Sequence, residues 1–111
     1  MRVGKLSSFN RGWIIGDFEN SLLRTKDFEV CVRVHPKGEI YGAHYHKLIT
    51  EYNVLISGKM TMCGVELNAG DTFIVEPNEV ADPVFLEDCT IVCVKRSEEH
   101  TSELQSRLHL V

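Results

Sequence analysis

Apolar and polar residues alternate with a period of two along most of the first 95 positions. "FEVCVRVH" (28–35) sets Phe28, Val30, Val32 and Val34 on one face of a strand and Glu29, Cys31, Arg33 and His35 on the other. "PKGE" (36–39) is a turn. "YNVLIS" (52–57) reads as a further strand, Ser57-Gly58-Lys59 as a hairpin connection and "KMTMCG" as its return. "VEL" leads to a turn at Asn68-Ala69-Gly70, and "DTFIVE" (71–76) is the next strand. "PNEVADP" (77–83) is a loop bounded by prolines, after which "VFLED" and "TIVCVK" close the series. No stretch keeps a 3.6-residue apolar period for long, and "ENSLLRTKDF" holds at most a turn or two of helix. Short strands at turn spacings of about 8–12 residues predict an all-β sandwich or barrel.

The alternation stops after Lys95. Residues 96–111, "RSEEHTSELQSRLHLV", form a polar run without periodicity. The stretch from Arg96 to Ser106, with Leu110 and Val111, resembles the conceptual translation of a short-read sequencing adapter. It is set apart from the fold as a non-native tail, which takes His100 and His109 out of the pool of candidate ligands. The expected organisation is one domain over 1–95, with an N-terminal segment over 1–27 and barrel strands over 28–95. The natural chain is expected to continue beyond Lys95.

Composition narrows the function classes. The chain has 12 basic and 16 acidic residues and a formal charge of −4. The tail holds two arginines and three glutamates, so 10 basic and 13 acidic residues remain without it. A mildly acidic chain with no basic run argues against a nucleic-acid surface. No apolar segment approaches the roughly 18 residues of a membrane span, and no basic-then-apolar leader opens the chain. A cytoplasmic location is the expectation. The four cysteines, Cys31, Cys63, Cys89 and Cys93, contain no C-x-x-C pair. Cys89 and Cys93 are about 13 Å apart on a strand, too far for a disulfide. Small buried thiols in a reducing compartment fit better.

The chemistry concentrates in "GEIYGAHYHKLITEYNVLISG" (38–58). His44 and His46, two apart on a strand, project to one side, while Tyr45 points the other way. Glu51, on the next strand after a short turn, can bring a carboxylate to the same point. Two neutral imidazoles and a carboxylate suit Fe(II), Mn(II), Ni(II), Co(II) or Zn(II), and leave coordination positions open.

Gly38, His44, His46, Glu51 and Gly58 together spell G-x5-H-x-H-x4-E-x6-G, the first motif of the cupin superfamily, with no position missing. From about Phe28 to Lys95 the sequence resembles a small single-domain cupin, most of all the short stand-alone cupins reading "HYHK…E" and "GD…EP.E..D". The resemblance implies a double-stranded β-helix, or jelly-roll barrel, with a site inside it. The second cupin motif, G-x5-P-x-G-x2-H, is only partly kept. Gly70, Asp71 and a proline at Pro77 are present, but Asn78 takes the glycine slot and Ala81 the histidine slot. Asp82 is the candidate replacement ligand, provided a bulge turns it inward. Glu76 and Glu79 flank the same loop and read as rim charges, with a general base or a substrate contact as the alternative. His35 reads as a structural histidine, and Trp13 as a packing residue or a lining of the barrel mouth.

The resemblance thus implies a divalent metal held by His44, His46, Glu51 and Asp82, beside a small-molecule site. An oxygenase or an isomerase is the activity such a face suits. The alternatives are a non-catalytic ligand-binding or dimerising module, and a metal-independent sugar epimerase or isomerase. The last would need a histidine base and a tyrosine donor, His44 or His46 with Tyr41 or Tyr52. A small-molecule ligand and a homodimer are the partners the resemblance implies.

Overall fold

The computed structural model describes residues 1–97 and the backbone of 108–110; the remainder of the tail, 98–107 and 111, lies outside the described residues. Two 3-10 turns, Leu6–Ser8 and Asn10–Gly12, precede the strands β1 (Trp13–Ile15) and β2 (Glu29–His35). Then come β3 (His44–His46), β4 (Ile49–Ser57), β5 (Lys59–Met62), β6 (Val65–Asn68), β7 (Thr72–Val75), β8 (Pro83–Phe85), β9 (Cys89–Ser97) and β10 (Leu108–Leu110). "ENSLLRTKDF" forms no helix; Ile15 and Leu23 make an isolated parallel bridge instead. No helix of the described residues is long and apolar enough to cross a membrane.

A five-stranded sheet in the order β1-β2-β9-β4-β7 faces a three-stranded sheet in the order β6-β5-β8. This is the all-β, double-stranded β-helix architecture that the strand spacing and the motif predict. β3 pairs with β10 on one side. On the other, a bridge between His44 and Ala81 sets β3 beside the chain leading into β8. β9 runs past Lys95 through Ser97, which pairs with Ile49 and is buried.

The connection at Gly58 is a correction to the sequence reading. β4 and β5 do not pair as a hairpin; β4 pairs with β7 and β9, β5 with β6 and β8. At Gly58 the chain leaves one sheet for the other, with φ +95° and no room for a β-carbon beside the backbone of Asp88 and Cys89. The hairpin lies one turn later. Cys63 and Gly64, both at positive φ, close β5 onto β6 as the two-residue turn favoured by strand twist.

Burial on β2 runs against hydropathy. Glu29, Cys31 and His35 are buried, whereas Val34, on the valine face, is 62% exposed. Tyr52, Ile56 and Ile74 of the same sheet also stand exposed. The large sheet therefore turns a polar face into the barrel and an apolar face outward. One end of the barrel is closed by a dry cluster of Leu55, Met60, Leu67, Phe85, Cys89 and Ile91. The other end keeps the polar side chains.

Candidate functional site

Strand alternation and a two-residue link place the three predicted ligands. His44 and His46 are buried on the inner side of β3, with Tyr45 between them on the outer side. Lys47 and Leu48 return the chain into β4, where Glu51 faces inward and Tyr52 outward. One ligand atom from each of His44, His46 and Glu51 lies within 4.8 Å of the others. His46 Nε2 is 2.8 Å from Glu51 Oε2. Two donors bound at about 2.1 Å and at right angles would stand about 3 Å apart, so this separation is that of neighbouring ligands on one ion. His44 Nδ1 is 3.0 Å from the Gly42 carbonyl oxygen, which can only accept. That nitrogen therefore carries the proton and leaves Nε2 as the free lone pair, the arrangement that orients a metal-binding imidazole.

Glu51 is ionised. Burial pushes its carboxyl up, but the His46 hydrogen bond, Lys95 and the two imidazoles outweigh burial and hold it below the usual carboxylate range. Lys95 Nζ is 3.9 Å from Glu51 Oε2 and 5.0 Å from the centre of the Trp13 ring. The Cys93 thiol donates to Glu51 Oε1 across 3.8 Å. Cys93 faces Cys31 directly across β2 and β9. Contact with Cys31, burial and the Glu51 charge push the Cys93 thiol up, so it stays protonated. Sequence spacing alone could not find this thiol pair, because its register is set between strands some sixty residues apart.

Asp82 does not join the group. The bridge to His44 turns Ala81 inward, where it is 3% exposed and lines the cavity. Alternation then sends the next side chain out, and Asp82 is exposed on the outer surface. No bulge re-aims it. The ungapped motif alignment was informative in another way: Asn78, in the glycine slot, adopts φ +67°, and its amide bonds to the His46 carbonyl oxygen at 2.7 Å. Glu76 and Glu79 are exposed, and Glu79 accepts from the Glu76 amide at 2.9 Å, tying the loop to itself. Among the described residues the metal-type group is His44, His46 and Glu51.

His44 and Glu51 open into a cavity that Trp13, Tyr41 and Phe73 help to line, with His46 buried behind them. Tyr41 packs its ring 5.0 Å from that of His44. His35 also reaches the cavity, stacked on Phe85 at 4.4 Å with its Nδ1 2.5 Å from Glu39 Oε2. Burial, only partly opposed by Glu39, pulls the His35 imidazole below its ordinary value. The unfolded chain then binds this proton first as pH falls from about 6.5. Stability is present above that pH and declines on acidification until His35 itself is protonated in the folded protein. Chemical denaturation at pH 7.5 and 5.5 should show a larger acid loss for the wild type than for His35→Phe, which keeps the stacked ring and removes the titration.

No protein-family model matches the chain, and none of the curated proteins does. Solved structures do. An uncharacterised protein with a double-stranded β-helix domain from Klebsiella pneumoniae subsp. pneumoniae MGH 78578 matches 99% of this chain and 91% of its own, at 21% identity and a TM-score of 0.69. A cupin protein from Bacteroides fragilis matches 65% of this chain and 67% of its own, at 25% identity and a TM-score of 0.53. A DMSP lyase from Ruegeria pomeroyi DSS-3 matches 99% of this chain at 18% identity and a TM-score of 0.65. The match spans 56% of the lyase's own length.

Proposed function

Because the chain has the double-stranded β-helix fold of the cupins, we propose that it is a metal-binding cupin domain that holds a small molecule inside the barrel. One observation carries this reading: three ligand atoms from His44, His46 and Glu51 converge within 4.8 Å. The donor set and the His44 tautomer fit a divalent transition ion such as Fe, Mn, Ni, Co or Zn, which would displace the proton that His46 shares with Glu51. Such an ion supplies Lewis acidity and open positions for a small ligand, which suits an oxygenase or an isomerase.

The chain's own residues prepare the site. Gly42 fixes the His44 ring by accepting a hydrogen bond from its Nδ1–H, and Lys95 steadies the Glu51 carboxylate. Trp13 and Phe73 keep bulk water from the cavity walls. Ala81 leaves room where the second cupin motif would place a histidine, so the protein offers three ligands and a wider opening.

The outward apolar face of the large sheet favours a second, compatible reading, that two copies pair through it. Val34, Tyr52 and Ile74 are all exposed there. Four unpaired cysteines suit a cytoplasmic location.

Elemental mass spectrometry on the full chain, purified without a His-tag, tests the metal reading. Near one equivalent of a divalent transition metal is expected in the wild type and almost none in the His44→Ala/His46→Ala variant, with circular dichroism showing both folded. Folded wild type that takes up no metal would overturn it. Light scattering on the same preparation should give twice the mass of one chain.

A further inference from the structure

Beside the three ligands the cavity contains a second polar group with different needs. Asn53 lies two residues beyond Glu51 on the inner face of β4, about 7 Å along the strand. It is 8% exposed, it lines the cavity, and its Nδ2 has no hydrogen-bond partner. Arg33 lies on the inner face of β2, and its guanidinium also lines the cavity. The guanidinium lies over the face of Tyr41, 5.7 Å from the ring centre. The carboxylate that lines the cavity, Glu51, is engaged with His46 and Lys95, and the nearby Glu39 with His35.

The strand register fixes how these two donors stand. Asn53 is opposite Cys93, Cys93 opposite Cys31, and Arg33 is two residues beyond Cys31. Two strands across and two residues along is roughly 12 Å between backbones. Both side chains rise from the same face of the sheet into one cavity, and the arginine is long enough to meet an acceptor that also reaches the asparagine. Water would satisfy the amide but not the charge. A guanidinium presents a planar fork of donors, and a carboxylate matches it with two parallel bonds while keeping lone pairs for a third donor. A cationic fork and an unmet amide on one wall, with apolar Met60, Phe73 and Phe85 around them, describe a receptor for an anion carried on a small carbon skeleton.

We propose that Arg33 and Asn53 form a carboxylate subsite, and that the molecule held in the barrel is a small organic acid. The acid's carboxylate sits between these two residues and its other end faces His44, His46 and Glu51. The proposal deepens the metal-site reading and rests on it only for what that other end meets. The cavity, about 70 Å3, has room for roughly five waters at 10–15 Å3 each, so an enclosed acid has only a handful of non-hydrogen atoms. A larger acid would leave its remainder in the mouth beside Trp13.

Trp13, the sole tryptophan of the chain, reports on the cavity it lines. Its emission would be followed while acetate, glycolate and malonate, their neutral amides, and inorganic phosphate are titrated into the full chain with and without one equivalent of zinc. Saturable binding of at least one acid is expected, with its amide at least tenfold weaker. Arg33→Gln should weaken the acid tenfold or more and Asn53→Leu about fivefold, at unchanged zinc content. Acids that do not bind, amides or phosphate that bind as well as the acids, or equal acid binding by folded Arg33→Gln would each overturn the subsite. The acid–amide comparison needs no variant, so misfolding of either variant leaves the test intact. Arg33-dependent acid binding in a protein that takes up no zinc would support the subsite while removing the metal reading.

Discussion

Glu51→Gln should lower the affinity for a divalent ion by at least about 100-fold while leaving the metal-free protein folded. Residues that merely orient a ligand cost about 10- to 100-fold when changed, and in the proposed site Glu51 would supply a donor atom directly. Glutamine keeps the shape and an oxygen for the His46 hydrogen bond, but removes the one negative charge among the three ligands. In the metal-free protein the loss is small, because the carboxylate's contacts with His46 and Lys95 are set against its own burial. With the ion bound there is no such offset. At a free metal concentration 100 times the wild-type dissociation constant, binding stabilises the wild type by about 2.7 kcal/mol and the variant by at most about 0.4 kcal/mol. Thermal melts with and without metal read this difference directly. An equal metal-induced rise in Tm for both proteins would remove Glu51 from the ligand set.

Gly58→Ala should destabilise the protein by about 4 kcal/mol, through two causes that act at one atom. The residue sits at φ +95°, a conformation that costs a residue with a β-carbon on the order of 1–3 kcal/mol. The new methyl would also overlap the Asp88 carbonyl oxygen and approach the Cys89 Sγ at 2.8 Å and Cα at 2.9 Å. Two of these three atoms are backbone and belong to the turn entering β9, so relief requires shifting a central strand. For a domain of this size the loss corresponds to a fall in Tm of roughly 20 °C. Gly38→Ala is the matched control. Its φ is +76°, but an added β-carbon there meets nothing within 4 Å, so only the conformational part remains.

What could be read in the sequence follows how locally each feature is determined. The His44, His46 and Glu51 group needs only strand alternation and a short turn, and spacing alone brought it together. Gly58 could be marked by its place in the motif, yet its job was misread, because whether a chain turns back or crosses to another sheet depends on partners elsewhere. Asp82 failed for the same reason. The inward residue of its loop is chosen by the bridge between His44 and Ala81, which pairs segments nearly forty residues apart in the chain. The faces of β2 could be separated by alternation, but hydropathy would bury Val34 and expose Arg33. The protein exposes Val34 and partly buries Arg33 because its interior holds a cavity lined by polar side chains. The pairs Cys31–Cys93 and Arg33–Asn53 depend on the register of β9, which no local pattern encodes.

β9 lies between β2 and β4 at the centre of the large sheet, yet it follows eight of the other nine strands in the sequence. During synthesis, β2 and β4 are complete long before the strand that joins them, and neither can pair across the gap. Both must wait with their valine and isoleucine edges unpaired. Closure then links segments some forty and sixty residues apart, the kind of topology that folds in milliseconds to seconds rather than microseconds. The nascent chain thus passes through a stage with open strand edges, when holding chaperones and dilution favour correct folding over sheet-to-sheet aggregation.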